Sequence, residues 1–271
     1  MIAVTGATGN VGRQLVALLT AAGERVTALS RQAGQMPEGV RHVQADLGDP
    51  VGLKGAFDGA EALFLLVAGE DPQAILDAAQ AGGVRRLVLL SSQGAGTRPE
   101  IYRHPAAFEG AVRRSGLEWT ILRPGGFNSN VYAWAESIRV SRTAAAPFGG
   151  IGLPTIDPAD IAEVAATVLR EDGHAGRTYE LTGPALTTPR ERVAAIAATL
   201  GEPVRFIEQT RDEARAQMLH LMPEPVVEGT LSILGEPTEA EQKVSPDVQQ
   251  ILGRAPRTFV DWAGRNIAAF K

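Results

Sequence analysis

The chain has no cysteine among its 271 residues, so disulfides, thiolate nucleophiles and cysteine metal sites are excluded. Lysine is nearly absent as well, present only as Lys54, Lys243 and Lys271. Aromatic residues make up 5% of the chain, with three tyrosines. No apolar run approaches the roughly 20 residues of a membrane span. No histidine pair has the i, i+4 spacing of a metal site, and no Gly-x-Ser-x-Gly elbow marks a serine hydrolase. The net charge of −5 disfavours a sequence-independent nucleic-acid surface. The chain opens directly on an apolar strand with no room for a signal peptide, which points to a cytoplasmic protein. The remaining composition, 44% hydrophobic and 21% charged, is that of a soluble globular protein with a sizeable core.

What is present begins at once. Met1 to Val4 reads as a strand, and Gln14 to Leu19 fits one face of a helix. Between them lies Thr5-Gly6-Ala7-Thr8-Gly9-Asn10-Val11-Gly12. Strand, glycine turn and helix make half of a dinucleotide-binding unit. Gly6 lets the chain turn, Gly9 lets backbone approach a pyrophosphate, and Gly12 lets the helix pack close to the sheet. The helix N-terminus offers free N–H groups to the phosphates.

Arg25 to Ser30 reads as the second strand, followed by Arg31. An acid at this position suits the ribose 2′-hydroxyl of NAD, and a cation suits the 2′-phosphate of NADP. Ser30-Arg31 supplies the cation and predicts NADP(H). Val40 to Ala45 is a third strand, ended by Asp46-Leu47; Asp46 is either an adenine contact or a plain loop acid. Asp49-Pro50 reads as the cap of a helix running to about Phe57. Ala62 to Val67 and Arg86 to Leu90 are apolar enough to be strands buried on both faces. Val67-Ala68 and Ser91-Ser92 leave their carboxyl ends, where ligands of open parallel sheets sit.

A helix is predicted from about Pro105 to Ser115, a sixth strand over Trp119 to Arg123, and then Pro124-Gly125-Gly126-Phe127-Asn128. The stretch Thr143 to Gly150 reads as a loop over the crevice. Asp157-Pro158-Ala159-Asp160 caps a helix ending near Leu169, and Thr178 to Thr182 is another strand. Thr188-Pro189-Arg190-Glu191 has capping-box form, so Asp160 and Glu191 read as cap residues. From Gly183 onward the pattern is mostly helical, with one short strand at Pro203 to Ile207. Met218, Leu219, Leu221 and Met222 read as core filler of a small lobe that covers an apolar substrate. The expected division is a nucleotide-binding domain over 1–182, with 125–150 crossing the cleft, and a substrate lobe over 183–271.

The opening motif resembles that of the atypical short-chain dehydrogenases. Ser115-Gly116-Leu117-Glu118-Trp119-Thr120-Ile121-Leu122-Arg123-Pro124, Asp157 to Ala162 and Tyr179 to Pro184 extend the likeness to the NmrA-like family. The resemblance implies an α/β Rossmann fold, a doubly wound parallel sheet of order 3-2-1-4-5-6-7, with a small, mostly helical C-terminal lobe. It also implies NADP(H) as cofactor. Carried over by position, Gly6, Thr8, Gly9, Asn10, Val11 and Gly12 would hold the pyrophosphate and Arg31 the 2′-phosphate. Val67 and Ala68 would line the ribose, and Pro124, Gly125 and Phe127 the nicotinamide. Asp46, Leu47 and Ser91 complete the expected cofactor set.

The Tyr-x-x-x-Lys pair of typical short-chain dehydrogenases is missing: Ala106, Glu136 and Gly183 stand four residues after Tyr102, Tyr132 and Tyr179. Reduction of an ordinary ketone, which needs strong acid assistance, is therefore disfavoured. A quinone is an easier hydride acceptor, because its hydroquinone anion is aromatic. His104, Tyr132 and Asn128 are the candidate catalytic residues, and Glu109 reads as a surface or hinge carboxylate. The leading expectation is an NADPH-dependent reductase of a quinone or similar conjugated carbonyl, acting on a small aromatic molecule as a monomer or homodimer. A non-catalytic NADP(H)-responsive regulator and a tailoring enzyme for an aromatic natural product remain alternatives.

Overall fold

Strands that are apolar at every position are buried only if both faces of their sheet are covered. The two such runs become β4 (Ala62–Leu66) and β5 (Arg86–Leu90) inside a seven-stranded parallel sheet. The computed structural model describes residues 1–49 and 51–271. The other strands are β1 (Ile2–Thr5), β2 (Val26–Ser30), β3 (Arg41–Gln44), β6 (Glu118–Pro124), β7 (Thr143–Pro147), β8 (Arg177–Leu181) and β9 (Arg205–Gln209). The main sheet runs β3-β2-β1-β4-β5-β6-β8, with every pairing parallel. This is the expected Rossmann order; its last strand is eighth in the chain only because β7 intervenes.

The helices are α1 (Gly12–Ala21), α2 (Pro72–Ala81), α3 (Gln93–Thr97), α4 (Arg103–Arg114), α5 (Ala135–Ser141), α6 (Pro158–Arg170), α7 (Pro189–Leu200), α8 (Arg211–Met218), α9 (Glu224–Gly235), α10 (Glu239–Gln242), α11 (Asp247–Leu252) and α12 (Phe259–Asn266). Alternation along the strands divides the core. Val4, Phe64, Val88 and Leu122 meet Leu15 and Leu19 of α1 and Ile161 and Val164 of α6. Ala3, Leu63, Leu65, Leu87 and Ile121 point the other way, onto Ile75 and Leu76 of α2 and Phe108 and Val112 of α4. A third cluster joins Val131, Ile138 and Ala144 to Val193, Trp262 and Phe270. Met218 and Met222 pack in a small fourth one with Val227 and Leu231. No helix among the described residues is long and apolar enough to cross a membrane.

Three local expectations are corrected. Thr143–Pro147 is a strand, paired in parallel with β9. Its alanines carry no alternation, and its partner lies some 60 residues away in sequence (Thr143↔Arg205). Residues 51–59 form consecutive turns rather than a helix. Gly55 and Gly59 take φ of 81° and 74°, and bonds such as Ala56 N–H to the Leu53 carbonyl span three residues. Pro50, the expected first residue of that helix, lies outside the described residues. Asp160 is not a cap either: Asp157 caps α6 by accepting from Ala159 N–H at 2.9 Å. Asp160 is fully buried and pairs with Arg254, at 2.7 Å, and with Arg257, tying the C-terminal segment to α6.

Glu109 is likewise not on the surface. It is 1% exposed. Arg123 of β6 grips both its oxygens at 2.9 and 2.7 Å, Ser91 donates to it at 2.7 Å, and Arg113 reaches it at 2.9 Å. Arg123 also contacts Glu180 of β8 at 3.3 Å. A side chain at Gly96 would overlap the Arg123 guanidinium. Burial alone would push the Glu109 carboxyl up, but the bonds from Arg123 and Ser91 and the charges of both arginines outweigh it. The group is held below the ordinary carboxylate range. Glu180 shows the opposite balance. Its burial dominates, one of its oxygens has no partner, and its carboxyl is raised.

Glu109→Ala leaves Arg123 largely unpaired in the interior and is expected to cost about 3–5 kcal/mol at neutral pH, measured by urea unfolding. Because the folded-state value is lowered, this contribution is complete above the unfolded carboxylate's pKa of about 4.3. It is lost as pH falls through the folded value, so the gap between wild type and variant narrows in acid. At the glycine loop, a Cβ on Gly12 would overlap the carbonyl of Gly6. Gly12→Ala is expected to cost about 1–3 kcal/mol in the same assay, as overpacking against rigid backbone does.

Candidate active site

The sheet order reverses between β1 and β4, and ligands of open α/β sheets bind at such a switch point. Thr5 bridges the two strand ends, donating to the Phe64 carbonyl at 3.0 Å and accepting from Leu66 N–H at 2.9 Å. Gly6 then turns with φ of 62°, and a side chain there would overlap Leu66. Gly9 N–H closes the turn on the Gly6 carbonyl at 2.9 Å. The helix that follows begins without a side-chain cap. By contrast Asp71, Asp157 and Thr188 cap α2, α6 and α7. In place of a cap, Arg13 N–H bonds the Gly9 carbonyl at 3.1 Å, so the glycine loop itself closes the start of α1.

Two cavities open at the carboxyl ends of the strands, and Leu66 belongs to the wall of both. The first, about 770 Å³, has a wall of mixed polar and apolar groups. Gly6, Thr8 and Gly9 form its base, and Arg31, Asp46, Leu47 and Ala68 lie around it, as expected from the sequence. Arg31 is exposed, and among the described residues it forms no ion pair. Ser30 steadies the end of β2 by donating to the Gln32 carbonyl at 2.7 Å and by a 2.8 Å contact with His42. Asp46 turns its carboxylate back on its own loop, accepting from Gly48 N–H at 2.9 Å.

The remaining loop residues expected to hold pyrophosphate do not line this cavity. Val11 and Gly12 are buried where the loop meets the sheet. Asn10 donates to Ser129 at 3.2 Å and so ties the loop to the segment after β6.

The second cavity, about 450 Å³, is almost wholly apolar. Val67, Ser91 and Phe127 of the expected cofactor set lie here, together with His104. Pro124 and Gly125 do not: Pro124 is buried in β6 beside Leu181, and Gly125 N–H bonds the Leu181 carbonyl at 3.0 Å. They carry Phe127 to the wall without forming it. The Ser91 proton is committed to Glu109, whereas Ser92 accepts from Gly94 N–H at 3.2 Å and keeps its own proton for the cavity. His104 sits in the first turn of α4. Its Nε2 is 2.7 Å from the Gly69 carbonyl, and its ring meets Phe108 edge-on at 5.1 Å.

The other two expected catalytic residues are elsewhere. The Tyr132 hydroxyl donates to Asn266 at 2.7 Å, and its ring packs on Trp262 and Phe270 in the third cluster. Asn128 is fully buried, lines neither cavity, and its side-chain amide has no partner. Both follow β6, but the 3-10 turn Asn128–Trp134 points them away from the strand ends.

Sequence reasoning missed Tyr102, Ile101, Val226 and Gly229 in the apolar wall. Burial raises the Tyr102 hydroxyl above its ordinary range, against a lowering hydrogen bond with Thr230. Val226 and Gly229 come from α9, which carries no motif. Arg98 holds that helix in place: it grips both oxygens of buried Glu241 at 2.7 and 2.8 Å, bonds Ser232, and reaches the Glu236 carbonyl at 2.8 Å. A side chain at Gly229 would press on Ile101, so the glycine lets α9 close down as a roof.

Comparison with known proteins agrees with this geometry. A family model described as NAD(P)H-binding matches residues 6–172. A (4-alkanoyl-5-oxo-2,5-dihydrofuran-3-yl)methyl phosphate reductase from Streptomyces griseus is 39% identical over 281 residues, covering 100% of this chain and 99% of its own. An NAD(P)H azoreductase from Xenophilus azovorans is 32% identical over 285 residues, with the same coverage of 100% and 99%. The crystal structure of the NADPH-dependent quinone oxidoreductase 2 of Escherichia coli, complexed with NADPH, superimposes with a TM-score of 0.81 at 25% identity, over 98% of this chain and 99% of that one. The glycine turn, the sheet order and these matches together place the chain in the NAD(P)H-binding family, with a fold that NmrA shares.

Proposed function

We propose that this NAD(P)H-dependent oxidoreductase reduces a quinone or similarly conjugated carbonyl compound, with NADPH preferred over NADH. The observation that carries the reading is the junction of the two cavities at Leu66. A crevice of mixed polarity with a glycine loop and an unpaired arginine leads directly into an apolar chamber of a size ordinary for small ligands. The bound cofactor supplies the hydride. The three relatives are named for an unsaturated lactone, an azo group and a quinone, all conjugated and electron-poor.

In this reading residues 1–182 hold the nucleotide, and α9 of the 183–271 lobe closes the chamber. Gly6, Thr8 and Gly9 bind the pyrophosphate, Arg31 the 2′-phosphate, and Val67 and Phe127 flank the reacting rings. The chain's own work at the acceptor is orientation and exclusion of water. The first turn of α4 has no side-chain cap, and it faces the chamber through His104 and Pro105. Its positive end favours a carbonyl oxygen that gains negative charge. Ser92 offers a hydroxyl proton to the same oxygen. With the His104 Nε2 proton directed at the Gly69 carbonyl, only Nδ1 is left for the acceptor, and it donates only from the doubly protonated ring.

Arg31→Ala is expected to weaken NADPH binding by about 1.5–3 kcal/mol, the loss of a charge-assisted phosphate contact, and to leave NADH binding nearly unchanged. Fluorescence titration of both cofactors checks this; equal losses would show that Arg31 does not read the 2′-phosphate. His104→Phe is expected to lower kcat by about 10²-fold for an unsaturated lactone and by less than about tenfold for a quinone. Steady-state NADPH oxidation with both acceptors measures the difference. Tight NADPH binding with no turnover on any conjugated acceptor would overturn the function proposed here.

A further inference from the structure

The apolar chamber is asymmetric. Its inner wall, with Leu66, Leu90 and Phe127, is covered by the sheet and the segment after β6. Its outer edge is formed by Ile101 before α4 and Val226 on α9, which are 38% and 48% exposed although they line a cavity. An aliphatic rim open to solvent is what a hydrocarbon chain leaving the chamber would cover.

The charges around the rim point the same way. No lysine or arginine is among the described residues lining the chamber. Most of the nearby cations are already engaged. Arg98 is held by Glu241, Ser232 and the Glu236 carbonyl. Arg211 and Arg215 pair with Glu228 at 2.6 Å each, and Arg215 also with Glu224. Arg103 lies outside the wall; its Nε donates to the Glu100 carbonyl at 2.9 Å, and it forms no ion pair among the described residues. His104 directs one ring nitrogen at Gly69. A phosphate drawn inside this chamber would give up hydration with no guanidinium or ammonium in the described wall to replace it.

We propose that the acceptor is an uncharged conjugated compound whose acyl or alkyl chain runs out between Ile101 and Val226, and that a phosphate ester of the same acceptor is a poor substrate. This rests on the reductase reading above. It would set this chain apart in specificity from a relative whose name specifies a phosphate.

The test uses the full chain with NADPH and matched 4-alkanoyl-3-(hydroxymethyl)-2,5-dihydrofuran-5-ones. Each is offered as the free alcohol and as its phosphate ester, in a series of lengthening alkanoyl chains, beside 2-methyl-1,4-naphthoquinone. For the alcohols, kcat/KM is expected to rise about two- to fourfold per methylene until the chain clears the rim. The phosphate is expected to lower kcat/KM by more than about tenfold at every length. Val226→Asp should flatten the chain-length slope, with NADPH affinity as the check that the variant is folded. A phosphate ester used as well as its alcohol, or a flat slope in the wild type, would overturn the proposal while leaving the reductase reading intact. NADPH binding without turnover of either the lactones or the quinone would overturn both.

Discussion

A carboxylate can stay ionised away from water only if its neighbours replace every hydration contact it gives up, and Glu109 meets that condition through three different elements. Ser91 comes from the end of β5, Arg123 from β6, and Arg113 from its own helix. The helix carrying Glu109 also carries His104 one and a half turns earlier, and its N-terminal neighbour is Tyr102. The ion cluster therefore sets how far the first turn of α4 stands from the strand ends. The same cluster takes up the Ser91 proton, leaving Ser92 as the hydroxyl donor of that wall. A group with no direct part in the chemistry thus defines the geometry in which the chemistry occurs.

How much of this was legible in the sequence depends on how local each cause is. The glycine turn could be read because Gly6, Gly9 and Gly12 act within nine residues of chain, each for a backbone reason. The buried strands could be read because a continuous apolar run such as Ala62–Leu66 has few other places to go. Arg31 could be read as a candidate because the end of a second Rossmann strand is a defined place. Glu109 could not, since its partners lie up to 18 residues apart in sequence and meet only in the folded sheet. The same holds for β7, whose alanines become a strand only because Arg205–Gln209 lies alongside. Tyr132 and Asn128 were expected at the site because they follow β6. The 3-10 turn that redirects them is set by packing against Trp262 and Ile156, which no local pattern shows.

The two cavities divide the work by polarity. Backbone N–H groups and one arginine face the crevice, so its preference is electrostatic and falls with salt. The chamber has few polar groups, so shape and desolvation dominate there, and over a wall built mostly from the strand ends and the start of α4, α9 adds Val226 and Gly229 as a roof. That helix is held by Arg98 and Glu241 rather than by an extensive core of its own, because the cluster beneath it contains few buried residues. The two cavities nonetheless share Leu66, and most of the chamber wall comes from the same strand ends as the crevice, so a change in one wall bears on the other.

The missing lysine has a consequence for the kind of acceptor this site can serve. In a Tyr-x-x-x-Lys pair the ammonium lowers the phenol's pKa and so makes proton delivery easy. Here the i, i+4 pair at the start of α4 is His104 and Phe108, and Phe108 is fully buried against the sheet. No lysine or arginine lines the chamber with the imidazole among the described residues, and burial moves the neighbouring Tyr102 hydroxyl in the unhelpful direction. An acceptor whose reduced form is a poorly stabilised alkoxide would need acid strength that this wall does not supply. One whose charge is delocalised into a ring or a second carbonyl needs only orientation, an uncapped helix end and weak donors such as the Ser92 hydroxyl and the His104 imidazole. The residues that remain after the pair is lost are those that a conjugated acceptor requires.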